Sequence, residues 1–140
     1  MATRAAVVAE AATWIGTPYH HQGRVKGVGV DCAMLLCDVY YTCGIIPYID
    51  PRPYPMDWME HRSNEVFLEW VEQYGTVTQA PAAGDVVMFR FGRCFSHGGI
   101  MLNDRELIHS YRKEHCVTRS DLSDARLAGR PVKFYSLWAN

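Results

Sequence analysis

No stretch of this sequence is apolar for long enough to cross a bilayer, which takes about 20 residues. Acid and base nearly cancel: 14 Lys and Arg against 15 Asp and Glu leave a net charge of −1. That balance excludes the basic surplus with which proteins grip nucleic acid. No C-x-x-C pair occurs, and the five cysteines (Cys32, Cys37, Cys43, Cys94 and Cys116) are odd in number. Neither a standard zinc spacing nor a disulfide framework is therefore expected. His20-His21, and His109 with Cys116, match no common ligand pattern, so no metal and no other cofactor is expected. Repeats, low-complexity tracts and linker-like segments are also missing. At the N-terminus, Glu10 interrupts the alanine-rich run Ala5-Ala6-Val7-Val8-Ala9, which is too short for a signal-peptide core. Synthesis in the cytoplasm is the corresponding expectation.

What is present is an ordinary globular balance, with 49% hydrophobic and 21% charged residues, on a chain of 140. One domain over residues 1–140 can bury a core without covalent staples. The first half reads as helical. Thr3 can cap a helix to about Ile15, and Gly16-Thr17-Pro18 stops it. After a Gly-rich stretch, Asp31 can cap a second helix from Cys32 to about Cys43, with Gly44 as its stop. Pro47–Pro55 reads as an irregular crossing segment, and a third helix is predicted over Ser63–Tyr74.

The second half reads as strands at Asp85–Phe91, His97–Leu102, Glu106–Tyr111, Cys116–Thr118 and Val132–Leu137. Asn103-Asp104 is the predicted hairpin turn, and a short helix is expected near Asp121–Leu127. Such close spacing favours an antiparallel meander, since parallel pairs need long crossovers. The expected class is α+β, with N-terminal helices packed on an antiparallel sheet of about five strands.

Cys32 is the most informative cysteine. At a helix start it would meet unpaired N–H groups and the positive end of the helix dipole. That field favours thiolate, and the same N–H groups can hold an oxyanion. Alone, it would read as a small buried apolar residue, the usual fate of a free cysteine. His97 opens a predicted strand and is followed by Gly98-Gly99, which leaves room for another group to come close. By itself it would be a surface-loop histidine. His109 falls on the next strand, where its ring can lie beside that of His97 and orient it; the plainer reading is a strand histidine bonded to backbone.

Four stretches in order resemble the NlpC-type papain-like cysteine hydrolases of bacterial cell-wall peptides. They are Gly16-Thr17-Pro18-Tyr19 with Gly29-Val30-Asp31-Cys32, then Ala83–Phe89, then His97-Gly98-Gly99-Ile100, then Glu106–Ser110. The resemblance implies a papain-like fold, Cys32 as nucleophile, His97 as general base and His109 as the orienting third residue. It also implies that Tyr19 polarises the substrate carbonyl, although Tyr19 also reads as a packing residue at a helix-to-loop corner. Asp31 reads as a helix cap, as a charge facing the cleft, or as both.

Ala33-Met34 stand where the family often has Ser-Gly, and Gly98 where a β-branched residue is common. His20, His21 and Pro47–Pro55 are not general family features and are candidates for shaping specificity. The implied activity is hydrolysis of an amide bond in the peptidoglycan stem peptide, next to D-glutamate and diaminopimelate, through a thioester. Another papain-like amidase or acyltransferase, or a catalytically silent tail-tip component, are the alternatives. A compact chain without an export signal resembles phage-tail or gene-transfer-particle members, which a particle carries to the wall. Tyr48–Trp58, rich in aromatics and proline, is the expected attachment surface.

Overall fold

The computed structural model describes residues 2–54 and 66–138. Helix α1 spans Arg4–Ala12, and Thr3 caps it by accepting from Ala6 N at 3.1 Å. It ends a turn earlier than the predicted Ile15, and Thr13–Gly16 continue as turns. A two-stranded ribbon, β1 (Arg24–Val25) with β2 (Gly29–Val30), leads into helix α2, Cys32–Thr42. Asp31 caps α2 through Met34 N at 2.9 Å. Gly44, in the left-handed conformation at φ 73°, turns the chain away after it. Helix α3 covers Val66–Tyr74, and the predicted start at Ser63 lies outside the described residues.

The main sheet has six strands, one more than expected: β3 (Thr76–Thr78), β4 (Val86–Phe91), β5 (Cys94–Met101), β6 (Glu106–Tyr111), β7 (Cys116–Asp121) and β8 (Val132–Ser136). Their order is β3-β8-β4-β5-β6-β7, and every pairing is antiparallel. The predicted meander is β4 to β7, and β8 returns to lie beside β4. At the β5–β6 turn, Asn103 Oδ1 accepts from Arg105 N and Glu106 N.

The helix expected near Asp121–Leu127 does not form. β7 runs on to Asp121, opposite Glu106, and local side-chain bonds claim the following backbone. Asp121 Oδ1 accepts from Ser123 N, and Asp124 Oδ2 accepts from Asp121 N. Asp and Ser side chains offering such bonds compete with helical hydrogen bonding.

The sheet separates two clusters. Val7, Ala11, Trp14, Leu35, Leu36, Val39, Phe67, Val71, Met88 and Ile100 pack the helices onto one face. Val87, Phe89, Met101, Leu107 and Leu127 fill the other. Met34 is fully buried in the first cluster. Residues 16–19 run beside the start of β7, with Gly16 N bonded to Val117 O and Tyr19 N to His115 O. Val30 N in turn reaches Pro18 O, so Tyr19, Val30 and the start of α2 become neighbours.

Candidate active site

The site arises where two strands part. β5 and β6 pair at Ile100/Ile108 and Met101/Leu107 only, so they diverge from Gly99 back toward Cys94. The segment entering α2 bridges the parted strands. Ser110 on β6 donates to Val30 O at 2.7 Å, and Cys32 Sγ on α2 donates to Ser96 O of β5 at 3.8 Å. A bulge shapes β5 here: Phe89 pairs with His97 and Arg90 with Phe95, which leaves Ser96 as the extra residue. Bulges re-aim the side chains beside them. Ser96 Oγ is buried and, among the described residues, has no hydrogen-bond partner.

His97 and His109 come together as the hairpin reading expected. His97 Nε2 and His109 Nδ1 are 2.7 Å apart, and His109 Nε2 lies 2.8 Å from Ser120 Oγ. The His97 ring stacks on Phe91 with centroids 4.8 Å apart, and Tyr111 stacks on His109 at 5.0 Å. Both histidines are buried, which rules out the surface-loop reading of His97. Burial, then the neighbouring His109, then Arg130, hold the His97 imidazole well below its ordinary range. Burial pulls His109 down to about 4, against the opposing carboxylate of Asp124. Both rings are therefore neutral near pH 7.

The thiol differs from expectation in two respects. Its hydrogen bond goes to the backbone of β5, and among the described residues it has none to the His97 ring. The helix start also does not win the electrostatic contest. Burial and then the Asp31 carboxylate push the Cys32 thiol up to about 12, against the N–H groups of Gly98, Ala33 and Cys32 that pull it down. Desolvation of a buried anion outweighs the dipole.

Asp31 is both a cap and the centre of a polar cluster. Besides Met34 N, its carboxylate accepts from Gln22 N at 2.8 Å and from the Tyr54 hydroxyl. His21 Nε2 lies 3.0 Å from Tyr54 O, and Arg52 donates to Gln22 O at 3.0 Å. The irregular segment after Pro47 is thus tied down beside Cys32. This corrects part of the expected attachment surface: Tyr54 is buried on Asp31, Tyr48 is exposed, and Pro55–Trp58 lie outside the described residues. His20 is exposed, and its Nδ1 lies 3.0 Å from His21 O. Tyr19 stays protonated, its hydroxyl pushed up by burial, then by Cys32 and Asp31.

Sequence reasoning missed Ser96 and Ser120. Ser120 had a signal. Pairing Tyr111 with Cys116 across a tight turn sets His109 opposite Thr118 and puts Ser120 diagonally beside it. The predicted strand ends at Thr118, whereas β7 runs on through Arg119 and Ser120 to Asp121. For Ser96, a bulge leaves no mark in alternation.

Helices set against an antiparallel sheet, with a cysteine opening a helix and paired histidines on neighbouring strands, make this a papain-like α+β fold. The description NlpC/P60 family matches residues 16–134, and the chain belongs to that family. Solved structures agree in fold. The NlpC/p60 domain of the peptidoglycan hydrolase SagA aligns at TM-score 0.61 and 21% identity, over 94% of this chain and 97% of that one. The peptidoglycan hydrolase RipB from Mycobacterium tuberculosis aligns at 0.62 and 20%, over 98% and 65%. An NLP/P60-family protein described as similar to lipoprotein, from Staphylococcus aureus, aligns at 0.68 and 18%, over 98% of this chain and 42% of its own. No curated protein matches the sequence significantly.

Proposed function

We propose that the protein is a cysteine peptidase cutting an amide bond in peptidoglycan stem peptides, with Cys32 as nucleophile, His97 as general base and His109 as its orienting partner. The observation that carries this is the seating of the Cys32 sulfur against the backbone on either side of His97, with the His97–His109 pair on the adjoining strands. Family membership and the two relatives named as peptidoglycan hydrolases supply the substrate class.

In this reading the thiol leaves Ser96 O and passes its proton to His97 Nδ1. The thiolate adds to the scissile carbonyl, and the N–H groups opening α2 receive the oxyanion. Tyr19, a protonated hydroxyl, adds a donor to the carbonyl. His97 then returns the proton to the departing amine, leaving an acyl thioester on Cys32. A water, deprotonated by His97, displaces the sulfur and releases the acid. Asp31 holds the helix start in place and its charge borders the cleft. The test is mass spectrometry of purified wall fragments digested by wild type and by Cys32→Ala. New amine and carboxyl termini with wild type alone support the reading; intact fragments with both reject it.

One observation favours a silent tail-tip component instead: the resting thiol is protonated and bonded to backbone rather than to imidazole. A substrate-mimicking electrophile separates the two, since a silent scaffold gains no Cys32 adduct. Carriage to the wall by a phage-tail-like particle, after synthesis in the cytoplasm, completes the proposal. Its candidate contact is the exposed edge-to-face pair Tyr41 and Tyr48, 5.3 Å between centroids. Affinity purification from particle-producing cells should recover tail proteins, and recovery of the free chain alone opposes it.

A further inference from the structure

We propose that Ser120 is a positioning residue: its hydroxyl fixes the tautomer of His109, and through it the tautomer that leaves His97 Nδ1 as a free base. This rests on the reading of His97 as the base. Three groups stand in line, His97 Nε2, the two ring nitrogens of His109 and Ser120 Oγ, with separations of 2.7 and 2.8 Å. Two proton arrangements satisfy both bonds. In the first, His109 Nε2–H donates to Ser120 Oγ, His109 Nδ1 accepts from His97 Nε2–H, and His97 Nδ1 keeps a lone pair. In the second, every donor is reversed, and His97 Nδ1 carries the hydrogen.

Burial decides between them. His97 is 6% exposed, and among the described residues its Nδ1 has no acceptor. The second arrangement therefore strands a buried N–H, which is costly. The first leaves over only the Ser120 hydroxyl hydrogen, on a half-buried residue at the polar end of β7 where water can take it. Ser120→Ala would remove the acceptor from His109 Nε2–H, so that each arrangement would strand one ring N–H and the preference would be lost. The register of β7 against β6, with His109 opposite Thr118, holds the serine in place.

The experiment uses the full chain labelled with 15N-histidine. The wild-type spectrum should show His97 and His109 both protonated at Nε2. Ser120→Ala should give mixed His109 tautomers and lower kcat roughly 10-fold with KM unchanged, comparable to the loss of an outer hydrogen bond at metal-bound imidazoles. Ser120→Thr, which keeps the hydroxyl, should restore both. Wild-type His109 protonated at Nδ1, or a Ser120→Ala enzyme with unaltered tautomer and kcat, overturns the proposal. If wild type cuts no wall fragment, the proposed activity fails, while the spectra alone still decide the tautomer.

Discussion

At the scale of single residues, the titration of Cys32 and of the histidines governs behaviour. The Asp31 carboxylate is the second cause, after burial, of the raised Cys32 thiol. Asn caps helices about as well as Asp. Asp31→Asn should therefore keep α2 and move the thiol midpoint, followed by thiolate absorbance, to lower pH; an unmoved midpoint would mean burial acts alone. The histidines give a sign for stability. His109 titrates near 6.5 when unfolded and about 4 when folded. Between those values the unfolded chain binds more protons, so stability is full above pH 6.5 and falls as pH drops toward 4. For His109 alone the loss by pH 4 is about 3 kcal/mol. Tm should rise steeply from pH 4 to 6.5, and His109→Gln should flatten that rise. Cys32 and both histidines were legible from residue type and order. The thiol's high pKa was not, because desolvation depends on packing that no local motif records.

Among elements, β5 holds the proposed base His97 and has the least room for change. A Cβ on Gly98 would come within 2.9 Å of Phe67 Cζ, 3.0 Å of Met88 Sδ and 3.3 Å of Leu36 Cδ2. All three are side-chain ends, which can yield. One on Gly99 would meet Ile108 O at 3.0 Å and His109 Cβ at 3.1 Å, where backbone cannot yield cheaply. Gly99→Ala should therefore cost about 1–3 kcal/mol and impair activity, while Gly98→Ala should cost less. Thermal melts of the two variants rank them, and the reverse ranking would contradict this packing. The small residues after His97 are thus where side chains of α2, α3 and β6 come close to β5. The bulge gives a second expectation. Ser96 Oγ is buried without a partner among the described residues, so Ser96→Ala should raise stability by about 1 kcal/mol. A loss of turnover alongside that gain would mean the hydroxyl meets the substrate. Strand existence was legible from β-forming runs, whereas β3 and the end of β7 were not, being short, polar and paired only in three dimensions.

Across the whole molecule, the site depends on joining two halves: Cys32 from the helical part and the histidines from the sheet. The α+β division was plain from the sequence, since helix stops and strand runs fall in separate halves. What joins them was not, because it involves residues far apart in the chain. Arg4 at the start of α1 donates to Asp85 Oδ1 at 2.7 Å, to Ala83 O at 3.0 Å and to Ser136 Oγ at 3.2 Å. Its guanidinium also lies 4.5 Å over the Trp138 ring, whose Nε1 donates to Ala2 O. Asp85 is buried at the head of β4 and otherwise accepts from Ala82 N. A buried carboxylate that loses its cation is costlier than a pair removed together. Arg4→Met should therefore destabilise by about 2–4 kcal/mol, with partial recovery in Arg4→Met/Asp85→Asn. For a chain of this size the single variant's Tm should fall by roughly 6–16 °C. Arg4 touches none of the proposed catalytic groups, so turnover well below the melt should stay near wild type. A melt unchanged by Arg4→Met would show that core packing alone holds the halves together, and lost turnover in a folded variant would tie α1 to the geometry of the cleft.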